Sequence, residues 1–198
     1  MRVVRYRQNV GALFGAMGIV MLAQGVLNVI WIIYVTNVLH GSALDLGILA
    51  AAGGVGILIG GFIVDHASKW VPVAQILWVG AVLSGIVFLF IAHVTLLEAT
   101  VALNVLLYVP VVAFLISHQT LLQSSIPDAL RRRVFGFLAT TNALLVLSGL
   151  GIASLLASRI GAATLLGAAG CLWIVAGLLG RARISAAPRY PEAEPALE

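Results

Sequence analysis

Residues Pro72–Ala92 read PVAQILWVGAVLSGIVFLFIA, a run without one charged side chain. The hydrocarbon core of a bilayer takes about 20 residues of helix, and this run is that long. Many of its residues are β-branched, among them Val73, Ile76, Val79, Val82, Ile86, Val87 and Ile91. In water such residues favour strand. In hydrocarbon an open strand would leave its backbone N–H and C=O groups unpaired, so only a helix can cross here. A barrel strand would alternate in polarity, and this run does not.

Working outward, the same pattern recurs on both sides. The runs predict helix 1 over about Val10–Val38, helix 2 over Leu44–Val64, helix 3 over Pro72–Ala92 and helix 4 over Leu96–Ser124. Helices 5 and 6 follow over Val134–Ala157 and Ala162–Leu179. The whole chain has 198 residues, 62% hydrophobic and 9% charged, with a mean hydropathy of +1.12. Soluble domains carry about 25% charged residues, which excludes an ordinary soluble enzyme. A disordered chain needs low hydrophobicity and is excluded too. The expected fold class is an all-α membrane protein of six transmembrane helices. Residues 1–9 form a basic cytoplasmic N-terminus, 10–180 the membrane domain and 181–198 a cytoplasmic tail. That tail, with Pro188, Pro191, Pro195 and three glutamates, cannot bury apolar area and reads as disordered.

The N-terminus imitates a signal peptide, with Arg2, Arg5 and Arg7 before an apolar run. That run continues to about Val38, beyond the roughly 7–15 residues of a signal core. It also lacks a small-x-small cleavage site, so it reads as an uncleaved first span. Cys171 is the sole cysteine and is expected to pack as a small apolar residue.

Charge sets the direction. With the N-terminus inside, Arg2, Arg5, Arg7, Lys69, Arg131, Arg132, Arg133, Arg181, Arg183 and Arg189 all lie in the cytoplasm, and only Arg159 lies outside. Ten against one predicts both termini cytoplasmic in a plasma (inner) membrane. The net charge of +4 therefore reads as orientation, with the lipid bilayer as partner and no nucleic acid.

Two stretches carry motifs. Helix 2 is rich in glycine, and Gly56 and Gly60 form a small-xxx-small pair that lets helix backbones approach. The loop after it reads Gly61-Phe62-Ile63-Val64-Asp65-His66-Ala67-Ser68-Lys69. A second stretch, Gln123-Ser124-Ser125-Ile126-Pro127-Asp128-Ala129-Leu130-Arg131-Arg132-Arg133-Val134-Phe135-Gly136, joins helices 4 and 5.

The first loop resembles the cytoplasmic signature of the major facilitator superfamily: Gly, three residues, Asp, a basic residue, one residue, Gly, then basic residues. Gly61, Asp65 and Lys69 match it; His66, Ser68 and Trp70 depart from it. The second stretch is similar to the loop between the tenth and eleventh helices of drug-efflux-like members, with Arg132 where glycine is usual. Arg131 and Arg133 keep the basic character. The chain thus resembles the C-terminal six-helix half of such a transporter, without the N-terminal half. The resemblance implies two inverted three-helix repeats, alternating access, and efflux of small amphipathic molecules. It implies a cavity lined by helices 1, 2, 4 and 5, and a partner: a homodimer or a separate N-terminal half. Gly61, Asp65, Lys69, Arg131 and Arg133 would form the cytoplasmic gating loops.

Polar residues inside the spans are candidates for that cavity, because buried polar groups in lipid face a partner or water. Gln24, Asn28 and Trp31 follow one another on helix 1. Asn104, Tyr108, His118 and Gln119 do so on helix 4, and Thr140, Thr141 and Asn142 lie on helix 5. Each could equally be a helix–helix hydrogen bond. His118 is the only ionisable side chain well inside a span, nine residues before Pro127, or about 14 Å along the helix. Its unperturbed pKa near 6.5 leaves proton coupling open; no cofactor or metal is called for. His40 and His93 sit at outer span ends and read as interfacial.

Rival functions find less support. An intramembrane serine protease needs Gly-x-Ser-Gly, but Val82 and Val146 stand two residues before Ser84 and Ser148. No paired Asn-Pro-Ala elements mark a water channel, and no coupling-helix signature marks an ATP-driven pump. The remaining alternative to a half-transporter is a non-transporting fragment or accessory membrane subunit. The chain is not expected to be an enzyme.

Overall fold

A computed structural model of the protein describes residues 2–126 and 128–183. The side chains of Arg2, Arg5 and Arg7, the residue Pro127, and the tail from 184 to 198 with Arg189 lie outside the described residues. Six helices follow in order: α1 (Arg2–Asn37), α2 (Ala43–Ala67), α3 (Val73–Ile91), α4 (Leu97–Ser125), α5 (Asp128–Ile160) and α6 (Ala162–Arg183). There is no strand among the described residues. Each helix contains a stretch long and apolar enough to cross a bilayer. The protein is an all-α, multi-pass membrane protein.

Three helix ends lie four or more residues from the sequence expectation. Helix α1 begins at Arg2 rather than near Val10, and α5 begins at Asp128 rather than Val134. Arg131, Arg132 and Arg133 therefore lie in the first turns of α5, not in a loop. Hydropathy marks where the apolar run begins, but Ala, Leu and Arg are good helix formers, so nothing stops the helix at the bilayer edge. Helix α6 likewise passes Leu179 to end at Arg183. The Arg181 guanidinium lies 5.1 Å from the ring centre of Trp78 on α3, a cation–π contact that holds this last turn.

Local chemistry shapes the junctions. Before α2, the Ser42 amide donates to Asp45 Oδ2 at 2.7 Å and the Ser42 hydroxyl donates to it at 2.9 Å. This puts a carboxylate at the positive end of the helix dipole. Gly161, at φ +80°, supplies the left-handed residue that stops α5, and α6 starts at the next residue.

The helices pack in the order α5–α1–α6–α3–α4–α2, with α1 and α4 also touching lightly across the front. Exchanging α1 with α4, α2 with α5 and α3 with α6 turns this order into its own reverse. The two three-helix units, α1–α3 and α4–α6, thus occupy equivalent places. Their directions are opposite. His118 of α4 meets Leu13 of α1, while Tyr34, at the other end of α1, bonds to the carbonyls of Ile91 at 2.6 Å and of Val94, just before α4 begins. The packing is that of an inverted repeat.

Glycines carry the tightest crossings. A Cβ on Gly85 of α3 would lie 2.5 Å from the Gly170 carbonyl oxygen, and one on Gly170 of α6 would lie 2.8 Å from that of Gly85. This reciprocal contact joins the two units. On the flank, a Cβ on Gly25 of α1 would lie 2.9 Å from Cα of Gly149 of α5. Gly56 and Gly60 both face α4: a Cβ there would come within 2.9 Å of Tyr108 Cβ and of the Val109 carbonyl oxygen respectively. Behind the front helices, Phe114 of α4 sits edge-on to Trp173 of α6 at 5.3 Å, and Trp173 also meets Phe88 of α3 at 6.2 Å. Both Phe114 and Trp173 are fully buried.

The direction of insertion is checked by cysteine labelling in a Cys171→Ser background. With Lys69 inside, Thr95→Cys should react with a membrane-impermeant maleimide in intact cells, and Ser68→Cys only after lysis. Both residues are exposed and flank opposite ends of α3. The reverse pattern would invert the topology.

Candidate functional site

The polar side chains of the spans fall into two groups. The first closes helix seams. Asn104 is buried, and its Nδ2 donates to the Leu49 carbonyl of α2 at 2.6 Å. Tyr108, one turn on, lies over Gly53 and Gly56, so both residues serve the α2–α4 seam. His118 is buried, with Nε2 3.1 Å from the Leu13 carbonyl of α1 and its ring stacked on Phe114 at 5.9 Å. Since a carbonyl only accepts, Nε2 carries the proton and donates.

The second group lies outside the seams. Gln24 Nε2 donates to Asn28 Oδ1 at 3.3 Å across one turn of α1, and Asn28 is exposed. Trp31 continues this side, half-buried and stacked on Tyr34 at 6.2 Å. Thr140 on α5 is exposed and donates to its own helix, to the Gly136 carbonyl at 3.1 Å. Asn142 is half-buried, and its Oδ1 is enclosed without a hydrogen-bond partner among the described residues. An exposed amide in hydrocarbon is costly. Asn28 therefore points to contact with a further polar surface or with water.

Helix α5 sets the character of this side. Only 11% of its apolar stretch is buried, against 33–44% for the other five helices. It packs along α1 and scarcely elsewhere.

At the end that carries Lys69 and Arg131–Arg133, α4 and α5 border a shallow, open groove of about 520 Å³. Gln119, Gln123, Arg131, Arg132 and Phe135 line it. Arg131 Nη2 donates to the Gln123 carbonyl at 3.4 Å across the helix junction. Gln119 is thus brought together with Arg131, while Arg133 is exposed and is not part of the lining. In the sequence Gln123 and Phe135 show only as parts of a loop-like stretch. Their role becomes visible once α5 is seen to start six residues earlier.

Of the other proposed gating residues, Gly61 has open space where a Cβ would stand. Asp65 lies in the last turn of α2, and Lys69 Nζ meets its Oδ2 at 3.3 Å, both side chains well exposed. An exposed pair of this kind adds little stability. Asp65 stands at the negative end of its own helix, so it gains nothing from that dipole. Among the described residues no group of His, Cys, Asp and Glu could hold a metal ion.

Comparison with protein-family models, curated proteins and solved structures finds no match to this chain.

Proposed function

We propose that the chain is one six-helix unit of a secondary transporter, exporting small amphipathic molecules by alternating access against a second six-helix unit. The observation that carries this reading is the inverted packing order, with α3 and α6 in the middle, α1 and α4 meeting across the front, and α2 and α5 on the flanks. Many secondary transporters are built from inverted repeats of this kind, with the substrate site near the bilayer midplane. The bare state of α5 and the exposed amide of Asn28 support a second unit as a cover. Such a unit would supply the other wall of a central cavity, toward which Gln24, Asn28, Thr140 and Asn142 would face.

The second unit is another copy of this chain or a separate chain. In a two-fold dimer the flanks meet crosswise, α2 of one copy against α5 of the other. Asp65 of one copy then faces the N-terminus of α5 of its partner, where a carboxylate is favoured by the helix dipole. Native mass spectrometry in nanodiscs tests this reading. A dimer is expected. Asp65→Asn should weaken it by about 2- to 5-fold for each of the two contacts, and should lower uptake of amphipathic dyes into inverted vesicles. A stable monomer at all concentrations, with no transport in the presence of any co-purifying chain, would replace this reading with that of an accessory membrane subunit.

A further inference from the structure

We infer that the second six-helix unit is another copy of this chain, docked at both flanks through an antiparallel zipper of α2 against α5. The inference rests on the two-unit reading above, and it names the partner and the residues that meet.

Each flanking helix has an outer surface of two kinds. On α2, Ile59, Phe62 and Ile63 form a bulky exposed strip. Beside it runs a narrow strip of Gly47, Ala51, Gly54, Leu58 and Gly61. On α5, Phe137, Leu144 and Leu155 form the bulky strip, and Gly136, Thr140, Ala143, Leu147 and Gly151 the narrow one. Bulky apolar side chains suit lipid. The narrow strips suit another helix, because small residues let backbones approach. Nothing else among the described residues uses these glycines: no atom lies within 4 Å of a Cβ built on Gly47, Gly54, Gly61, Gly136 or Gly151. Gly53, Gly56 and Gly60, by contrast, are pressed against α4.

The two narrow strips match in register. Both step by three or four residues, the spacing of a helix seam. In a dimer with its two-fold axis along the membrane normal, α2 of one copy runs antiparallel to α5 of the other. Setting Gly61 against Gly136 then sets Leu58 against Thr140, and Gly54 against Ala143. It also sets Ala51 against Leu147, and Gly47 against Gly151. Leu147 enters the bay between Gly47 and Gly54 of the other copy, and Leu58 the bay between Gly136 and Ala143. Both leucines are among the most exposed of their helices, at 67% for Leu58 and 63% for Leu147, and each meets small residues. Asp65, exposed in the last turn of α2, comes level with Arg133, exposed near the start of α5. Sliding one helix by two turns would bring Leu58 onto Leu147 and Asp65 onto Thr140.

The strips also point the right way. At about 100° per residue, both narrow strips turn to the side of the bundle that Asn28 faces, and both bulky strips turn away from it. A face-to-face pair therefore closes both flanks at once. Each copy supplies one α2 and one α5, so the surface is complementary to itself, as a two-fold interface requires.

The test is disulfide cross-linking between two differently tagged copies of the full chain in native membranes, each in the Cys171→Ser background. Ala51→Cys on one copy should link to Leu147→Cys on the other, and Leu58→Cys should link to Thr140→Cys. Leu58→Cys with Leu147→Cys, two turns out of register, should not link. Nor should Ile59→Cys with Leu144→Cys, on the bulky strips. Native mass spectrometry in nanodiscs runs alongside. Gly54→Leu with Gly151→Leu meets open space within its own chain, so the melting temperature at high dilution should hold. Its dimer dissociation constant should rise about 10-fold. Dimers without the matched links, or with stronger links from the unmatched pairs, would overturn the zipper and leave the two-unit reading standing. A monomer, or a complex of one copy with a separate chain, would overturn the second copy as partner. Matched links without dye uptake would uphold the zipper and count against transport.

Discussion

Gly85→Leu is expected to destabilise the fold strongly. The new side chain has no direction in which to yield, because it meets the Gly170 carbonyl oxygen at 2.5 Å, the Ile174 amide nitrogen at 2.9 Å and Ile174 Cγ1 at 2.6 Å. Two of these three are backbone atoms of α6. Relief requires α3 and α6 to separate, and this is the broadest seam between the two three-helix units. Overpacking a core costs about 1–3 kcal/mol and sometimes more. The backbone obstacle places this substitution at the upper end, a fall in melting temperature of about 6–12 °C for a chain of this size. Gly170→Leu should behave alike, since the contact is reciprocal. Gly15→Leu is the control: nothing lies within 4 Å of its Cβ position. Thermal-shift measurement by size-exclusion chromatography in detergent separates the three. Equal melting temperatures for Gly85→Leu and Gly15→Leu would mean that α3 and α6 do not cross here.

The second large effect is expected on assembly. Gln24→Leu combined with Asn28→Leu removes the bonded amide pair from the uncovered side of α1 and replaces it with apolar surface that lipid accepts. Interhelical hydrogen bonds in membranes are worth about 0.6 kcal/mol each. Four such side chains in a dimer give about 2.4 kcal/mol, or close to 60-fold in dissociation constant. The isolated unit should gain stability, because an exposed amide no longer faces hydrocarbon. Dimer fraction against protein-to-lipid ratio reads the first effect, and melting temperature at high dilution reads the second. A variant that dimerises as the wild type does would remove this face from the interface.

The two results draw on different parts of the molecule, and these parts differ in how far the sequence reveals them. The number of spans was legible because each apolar run is measured against a fixed bilayer thickness. The Gly56–Gly60 spacing was legible as a close-approach surface, and both residues do face α4. The crossings at Gly85–Gly170 and Gly25–Gly149 were not, because α3 and α5 each contribute a single glycine there and no Gly-xxx-Gly spacing marks them. Asn104 and His118 stood out as polar residues in spans. Their partners did not, since these are the carbonyls of Leu49 and Leu13, groups that every residue carries. Phe114 and Trp173 gave no signal at all: an aromatic in an apolar run reads the same whether it faces lipid or core. The start of α5 was misplaced for a related reason. Arg131–Arg133 leave the hydrocarbon, and hydropathy registers that change of solvent, whereas the backbone simply continues its helix.

By itself the sequence determined the class of the molecule: six helices, their lengths within two or three turns, and the end at which the basic residues gather. These follow from each residue meeting its solvent, water or hydrocarbon, independently of the others. Only the tertiary structure decided which helix faces meet. The inverted order of the six helices, the seam at Gly85 and Gly170, the bare face of α5 and the basic groove beside it all depend on pairs of surfaces far apart in the chain. Helices that are apolar on every side present hydrocarbon with nothing to distinguish one face from another. Their packing is settled by where two backbones can come closest, and that property belongs to the pair.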